Sequence, residues 1–169
     1  MTIYEDIYER AIIRTIEKSN ASSKEEIHER LGAEDCCIHS YFRYNLAYEI
    51  CDHLASLIED IRCGFLCGSS LTDEFRRNSD INIILHVKIH RPEFEGTIRE
   101  VDEGLTEIYC KALSLDVDEC TSFIEITVVD DADIIRNNGV ACVICSILEP
   151  PLKVWECEAD EGVGPKTSK

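Results

Sequence analysis

The stretch "CGSSLTDEFRRNSDINIILHV", Cys67 to Val87, decides how the chain is read. A short apolar run ends in Gly68-Ser69. Ten residues, Ser70 to Ser79, follow, and an aspartate, Asp80, then opens a strand rich in isoleucine and valine. Glycine at the end of a strand lets a backbone amide approach a phosphate with no side chain in the way. The hydroxyl of Ser69 can donate to the same phosphate, with Ser70 beside it. Asp80 and Asn82 stand two apart, so a strand places both on one face and Ile81 and Ile83 on the other. Further along, Glu125 sits between Ile124 and Ile126 in another strand-like run. If the two strands are neighbours, Glu125 joins Asp80 and Asn82. Acids within apolar strands are costly unless charge or hydrogen bonds compensate, and clustered acids raise each other's pKa. A divalent cation removes both costs, and magnesium favours carboxylates together with phosphate oxygens.

Outward from this stretch the pattern alternates between helix and strand. Ile3, Ile7, Ala11, Ile12 and Ile16 recur at helical spacing over 3–18. Ser23 and Glu26 form a capping-box pattern for a short helix stopping at Gly32. Leu46, Ile50, Leu54, Leu57 and Ile58 mark a longer helix over about 40–60. Strands are expected over 61–67, 80–89, 122–129 and 140–147. Helices are expected over 95–113 and 131–136, the latter ending in Asn137-Asn138-Gly139. Pro150-Pro151 closes the domain, Leu152 to Trp155 is open to reading as a further short strand, and a frayed tail follows from Glu158. The expected architecture is α+β: a small mixed β-sheet flanked by helices. It divides into an N-terminal helical extension over 1–40, a main domain over 41–155 and a flexible tail over 156–169.

The chain has 169 residues, 34 acids against 17 bases and a formal charge of −17. It is 44% hydrophobic, enough for a core. The charge excludes a broad nucleic-acid surface, which needs clustered Lys and Arg. It also argues against a DNA-binding role for the N-terminal helices and leaves them as a packing or dimer element. No run of 18 apolar residues exists, which excludes a membrane-spanning helix. Met1 to Asn20 has no apolar leader segment, so the expected location is the cytosol. There the ten cysteines stay reduced and serve mostly as small core hydrophobes, Cys63, Cys67, Cys110, Cys142 and Cys145 among them. Cys142 and Cys145 have CxxC spacing, but a strand would point them to opposite faces, and no second pair completes a zinc site. Cys36-Cys37 is expected in a loop.

Gly68-Ser69, ten residues, then Ser79-Asp80-Ile81-Asn82-Ile83 resembles the signature of the nucleotidyltransferase superfamily, the polymerase-beta-like proteins, G-[GS], a short span, then D-h-[DE]-h. The likeness is strongest to the minimal nucleotidyltransferases, and "EITVVDDADIIRNNGVACV" resembles their third strand, short helix and closing strand. It covers about residues 42–148. The resemblance implies the nucleotidyltransferase fold. It implies that Gly68, Ser69 and Ser70 hold a nucleoside triphosphate, that Asp80, Asn82 and Glu125 hold Mg2+, and that Glu125 polarises an incoming hydroxyl. The implied reaction moves a nucleoside monophosphate from the triphosphate to a hydroxyl acceptor and releases pyrophosphate. In small relatives the acceptor is a partner toxin or an aminoglycoside.

Asn82 departs from the signature, since a neutral amide replaces an acid and supplies no negative charge. A second reading is therefore an impaired or inactive relative: a nucleotide-binding or antitoxin-like interaction module. Other roles are open for several residues. Asp80 can cap the turn, Asn82 can satisfy a sheet edge and Glu125 can pair with Arg76 or Arg77. Those two arginines can instead steady a triphosphate. His86 shares the face of Asp80 and Asn82 and is read as a hydrogen-bonded sheet histidine.

Overall fold

A computed structural model describes residues 1–116 and 122–158 of the chain. Three helices come first: α1 (Ile3–Lys18), α2 (Lys24–Gly32) and α3 (Cys36–Leu57). Strand β1 (Ile61–Cys67) runs into a single 3-10 turn, Gly68–Leu71, and β2 (Ile81–Val87) returns. Then follow α4 (Glu93–Leu113), β3 (Ile124–Asp130), the short helices α5 (Asp131–Arg136) and α6 (Ala141–Ile144), and β4 (Leu152–Glu156). The strands form one sheet in the order β3-β2-β1-β4. β1 is antiparallel to both β2 and β4, while β2 and β3 are parallel. The fold is thus α+β with a small mixed sheet flanked by helices.

Alternation along β2 sorts its side chains. Ile81, Ile83, Leu85 and Val87 enter the main core with Ile7, Ile12, Phe42, Leu46, Ile50, Leu105 and Tyr109 from α1, α3 and α4. Ile84 faces the other way, into a small second core with Val129 and Ala141, against which Phe65, Cys67, Ile134 and Ile144 pack. Gly64 in β1 meets α3 so closely that an added Cβ would collide with the Cys51 side chain, so only glycine permits this approach. α1 and α3 are further tied by Glu49, which is 2% exposed and accepts from Arg10 Nε at 2.7 Å and from Arg14 Nε.

Several expectations are corrected. The strand expected over 140–147 is absent. Its Val and Ile content favours a strand, but local bonds prevail: Ala141 N–H donates to Asn138 O, Cys142 N–H to Gly139 O and Val143 N–H to Val140 O. Gly139 at φ +49° starts this coil, and β1 takes Leu152–Glu156 as its second neighbour instead. Cys142 and Cys145 are consequently exposed rather than core residues, whereas Cys63 and Cys67 are half-buried and Cys51 and Cys110 buried. Cys36 and Cys37 open α3 rather than lie in a loop, because the Asp35 carboxylate caps the helix, accepting from Cys37 N–H at 3.0 Å and Ile38 N–H at 3.1 Å. At α2, Ser23 accepts from Glu26 N–H at 3.2 Å, but the Glu26 carboxylate turns to Ser22, so the capping box is not reciprocal. The tail expected over 156–169 lies, from residue 159 onward, outside the described residues. Among the described residues no helix is long and apolar enough to cross a membrane.

His39 is fully buried in α3, with Nε2 on the Leu31 carbonyl at 2.9 Å and its ring 4.5 Å from that of Phe75. Burial, reinforced by the neighbouring Arg43 charge, lowers its pKa from the ordinary 6.5 to about 4. Between those values the unfolded chain takes up a proton that the folded chain refuses, so stability falls as pH falls through that window and the loss levels off below about pH 4. The expected size is about 3 kcal/mol. Urea unfolding from pH 7 to pH 4 checks this: stability of the native chain falls more steeply than that of His39→Gln, and parallel curves refute the assignment.

Candidate functional site

The loop between β1 and β2 carries most of the residues singled out above, and its shape comes from one side chain. Arg43, on α3, is 1% exposed. Its Nη1 donates to Ser70 Oγ and to Asp80 O, both at 3.0 Å, and its Nη2 donates to Ser79 O at 2.7 Å and Arg76 O at 3.2 Å. The guanidinium also lies 5.5 Å from the centre of the Phe75 ring, and Phe75 is buried. One planar fork thus joins both ends of the loop to α3. Burial pulls the Arg43 pKa down, and the nearby Tyr109 and Asp80 oppose that pull.

Gly68 begins the 3-10 turn at φ +70°, a conformation strained for any side-chain-bearing residue. A Cβ there would lie 3.0 Å from Asn82 Nδ2, so the Asn82 amide rests against the elbow. Ser69 is half-exposed, and among the described residues its hydroxyl has no partner. Ser70 is instead 4% exposed and occupied by Arg43. Beside the elbow is a cavity of about 690 Å3, lined by Gly68, Ser69, Asp73, Glu74, Val143 and Glu149 among others. None of its described lining residues is basic.

Strand register sets the rest. Cys67 on β1 and Glu125 on β3 each stand opposite Asn82 on β2. Directly opposed residues share a face, so Cys67, Asn82 and Glu125 form a row across three strands, next to Gly68. The Cys67 thiol is pushed up first by burial and then by the Glu125 carboxylate, which fits that row. Asp80 is the residue directly before β2, exposed, with its carbonyl held by Arg43. Neither the Asp80 nor the Glu125 carboxylate has a hydrogen-bond or ion-pair partner among the described residues. The Glu125 pairing with Arg76 or Arg77 is therefore not formed; Arg76 Nη1 donates to its neighbour's carbonyl, Phe75 O, at 2.9 Å, and the Arg77 backbone N–H donates to the Glu34 carboxylate. His86 lies toward the far end of the same face and meets Asp131 Oδ1 at 2.8 Å, an aspartate also bonded to Arg62.

Two free carboxylates and one amide oxygen form a hard-oxygen donor set. That set fits one divalent ion that completes its coordination with phosphate and water. Among the described residues no three His, Cys, Asp or Glu side chains gather as a metal site, so the amide oxygen of Asn82 is needed to complete the set.

Arg43 is the residue that sequence reasoning missed. Its signal was a lone arginine between Phe42 and Leu46 in an apolar helix, a position that demands several acceptors.

No family model and no curated protein matches the chain. A solved structure that resembles it is the crystal structure, at 1.40 Å resolution, of a "putative nucleotidyltransferase" from Sulfolobus solfataricus. The two share 17% sequence identity, the match covers 73% of this chain and 89% of that one, and the TM-score is 0.41.

Proposed function

We propose that the chain binds a nucleoside triphosphate at the Gly68-Ser69 elbow and acts as a nucleotidyltransferase, moving a nucleoside monophosphate to a hydroxyl acceptor with release of pyrophosphate. The observation that carries this reading is the register that seats Asn82 and Glu125 side by side against a glycine turn of positive φ. The Gly68 backbone and the Ser69 hydroxyl donate to the phosphates. Asp80, Glu125 and the Asn82 amide oxygen would hold Mg2+, which supplies the positive charge that the acidic cavity lacks. Glu125 would polarise the incoming hydroxyl and take up its proton. Arg43 keeps Ser70 and Asp80 in place from below.

Asn82 itself favours a second reading. With an amide in the row and three acids beside the cavity, Asp73, Glu74 and Glu149, the site holds nucleotide without transferring it. Both readings require magnesium-dependent triphosphate binding, and pyrophosphate release separates them. The test is a thermal-stability titration with ATP, GTP, CTP and UTP, with and without MgCl2, followed by a pyrophosphate assay. At a triphosphate concentration about 100 times Kd, stabilisation is about 2.7 kcal/mol, a rise in Tm of about 5–10 °C. Asp80→Ala removes the magnesium-dependent part. No shift with any triphosphate sinks both and leaves the antitoxin-like interaction module, which needs no nucleotide.

A further inference from the structure

Cys142 and Cys145 fall on one helical turn, α6 with its C-terminal cap, rather than on a strand. That difference reverses their chemistry. Residues i and i+3 of a strand diverge, whereas on a helical turn they stand on one side, with Cα atoms about 5 Å apart. This lies within the ~4.4–6.8 Å that a disulfide spans. Both thiols are exposed and free. Cys142 Sγ donates to Asn137 O at 2.8 Å, so its proton is held locally; among the described residues Cys145 Sγ has no such bond and is the sulfur available for the first attack. Val143, between the two, lines the cavity beside the elbow.

We infer that Cys142 and Cys145 form a thiol–disulfide exchange site, oxidised to an intrachain disulfide by a small-molecule disulfide of the glutathione class. The Cys145 thiolate attacks one sulfur of glutathione disulfide, forms a mixed disulfide and expels one glutathione thiolate. Cys142, deprotonated, then attacks the Cys145 sulfur, closes the intrachain bond and expels the second glutathione. The pair loses two electrons and two protons; one disulfide is reduced, and the protons end on the two glutathione thiols. The chemistry of the pair needs no nucleotide. Its position makes the closed form a staple across the turn that carries Val143 on the cavity wall.

The experiment uses the full folded chain, equilibrated in glutathione alone or in glutathione disulfide, then alkylated, digested and weighed. In the disulfide buffer the peptide holding Cys142 and Cys145 is expected to lose two hydrogens. Alkylation of both cysteines falls about tenfold or more and returns with dithiothreitol. Cys142→Ser is expected to stop at a glutathione adduct on Cys145. Equal alkylation of the pair in the two buffers overturns the assignment, as does finding the two only as separate glutathione adducts or bonded to other cysteines such as Cys36 and Cys37.

Discussion

Arg43→Ala is expected to lower the unfolding free energy by about 3–5 kcal/mol. The side chain is 1% exposed, and its fork serves three backbone carbonyls and a hydroxyl in a stretch with almost no regular structure of its own. Truncation leaves those acceptors unpaired beneath the loop and opens a void under Phe75. Charged hydrogen bonds are worth about 1.5–3 kcal/mol each, but bonds sharing one guanidinium do not add, which keeps the total within that range. For a chain of this size the loss lowers Tm by about 6–20 °C. Arg43→Lys retains the charge without the planar fork, so one ammonium reaches fewer carbonyls and recovers part of the loss. Urea unfolding of the three proteins at one pH decides the matter. An alanine variant within about 0.5 kcal/mol of the native chain would mean that the loop holds its shape unaided. The same variant weakens any magnesium-dependent triphosphate binding, because Asp80 loses the bond to its carbonyl.

Asn82→Asp is expected to act in two opposite directions. Without metal, a new carboxylate beside Glu125 repels it and stability drops by roughly 1 kcal/mol. With magnesium the third acid becomes a ligand. A unit charge about 4 Å from its partner is worth about 4 kcal/mol at an effective dielectric of 20. Asn82 is half-exposed, and solvent screening leaves about half of that, an increase of roughly 30-fold in magnesium-dependent triphosphate affinity. Isothermal titration with and without MgCl2, beside a pyrophosphate assay, reads both effects. The shape of the side chain barely changes, so its seat against Gly68 is kept. If neither affinity nor pyrophosphate release responds to the added acid, the row across the three strands is not a metal-binding row.

Local pattern revealed much of this molecule and long-range pairing revealed the rest. Ile3 to Ile16 and Ile98 to Ala112 are amphipathic at helical spacing, and α1 and α4 lie where that periodicity puts them. Gly68 with Asp80 and Asn82 was legible because a strand, a glycine turn and a returning strand are near in sequence. That Glu125 stands opposite Asn82 depends on which strand lies beside β2, and nothing local encodes strand order. Ala141–Ile144 misleads because Val140, Val143 and Ile144 are β-branched strand formers, whereas three short-range backbone bonds coil the segment. Arg43 was hard to single out because α3 is buried around most of its circumference, at Ile38, Phe42, Leu46, Ala47, Cys51 and Leu54, so no clear polar stripe marks which side chains face solvent.

The place of β4 bears on how the chain is synthesised. β1 lies inside the sheet, yet one of its two partners is the last strand of the described chain, with Phe65 opposite Lys153 and Gly64 opposite Trp155. While a ribosome is still extending the chain, β1 and β2 can pair as a hairpin, but the other rim of β1 stays bare until Leu152 to Glu156 emerge. An uncovered strand rim invites pairing with a neighbouring nascent chain. Chaperone demand at this rim should therefore last until Leu152 to Glu156 have emerged and fall once they have docked.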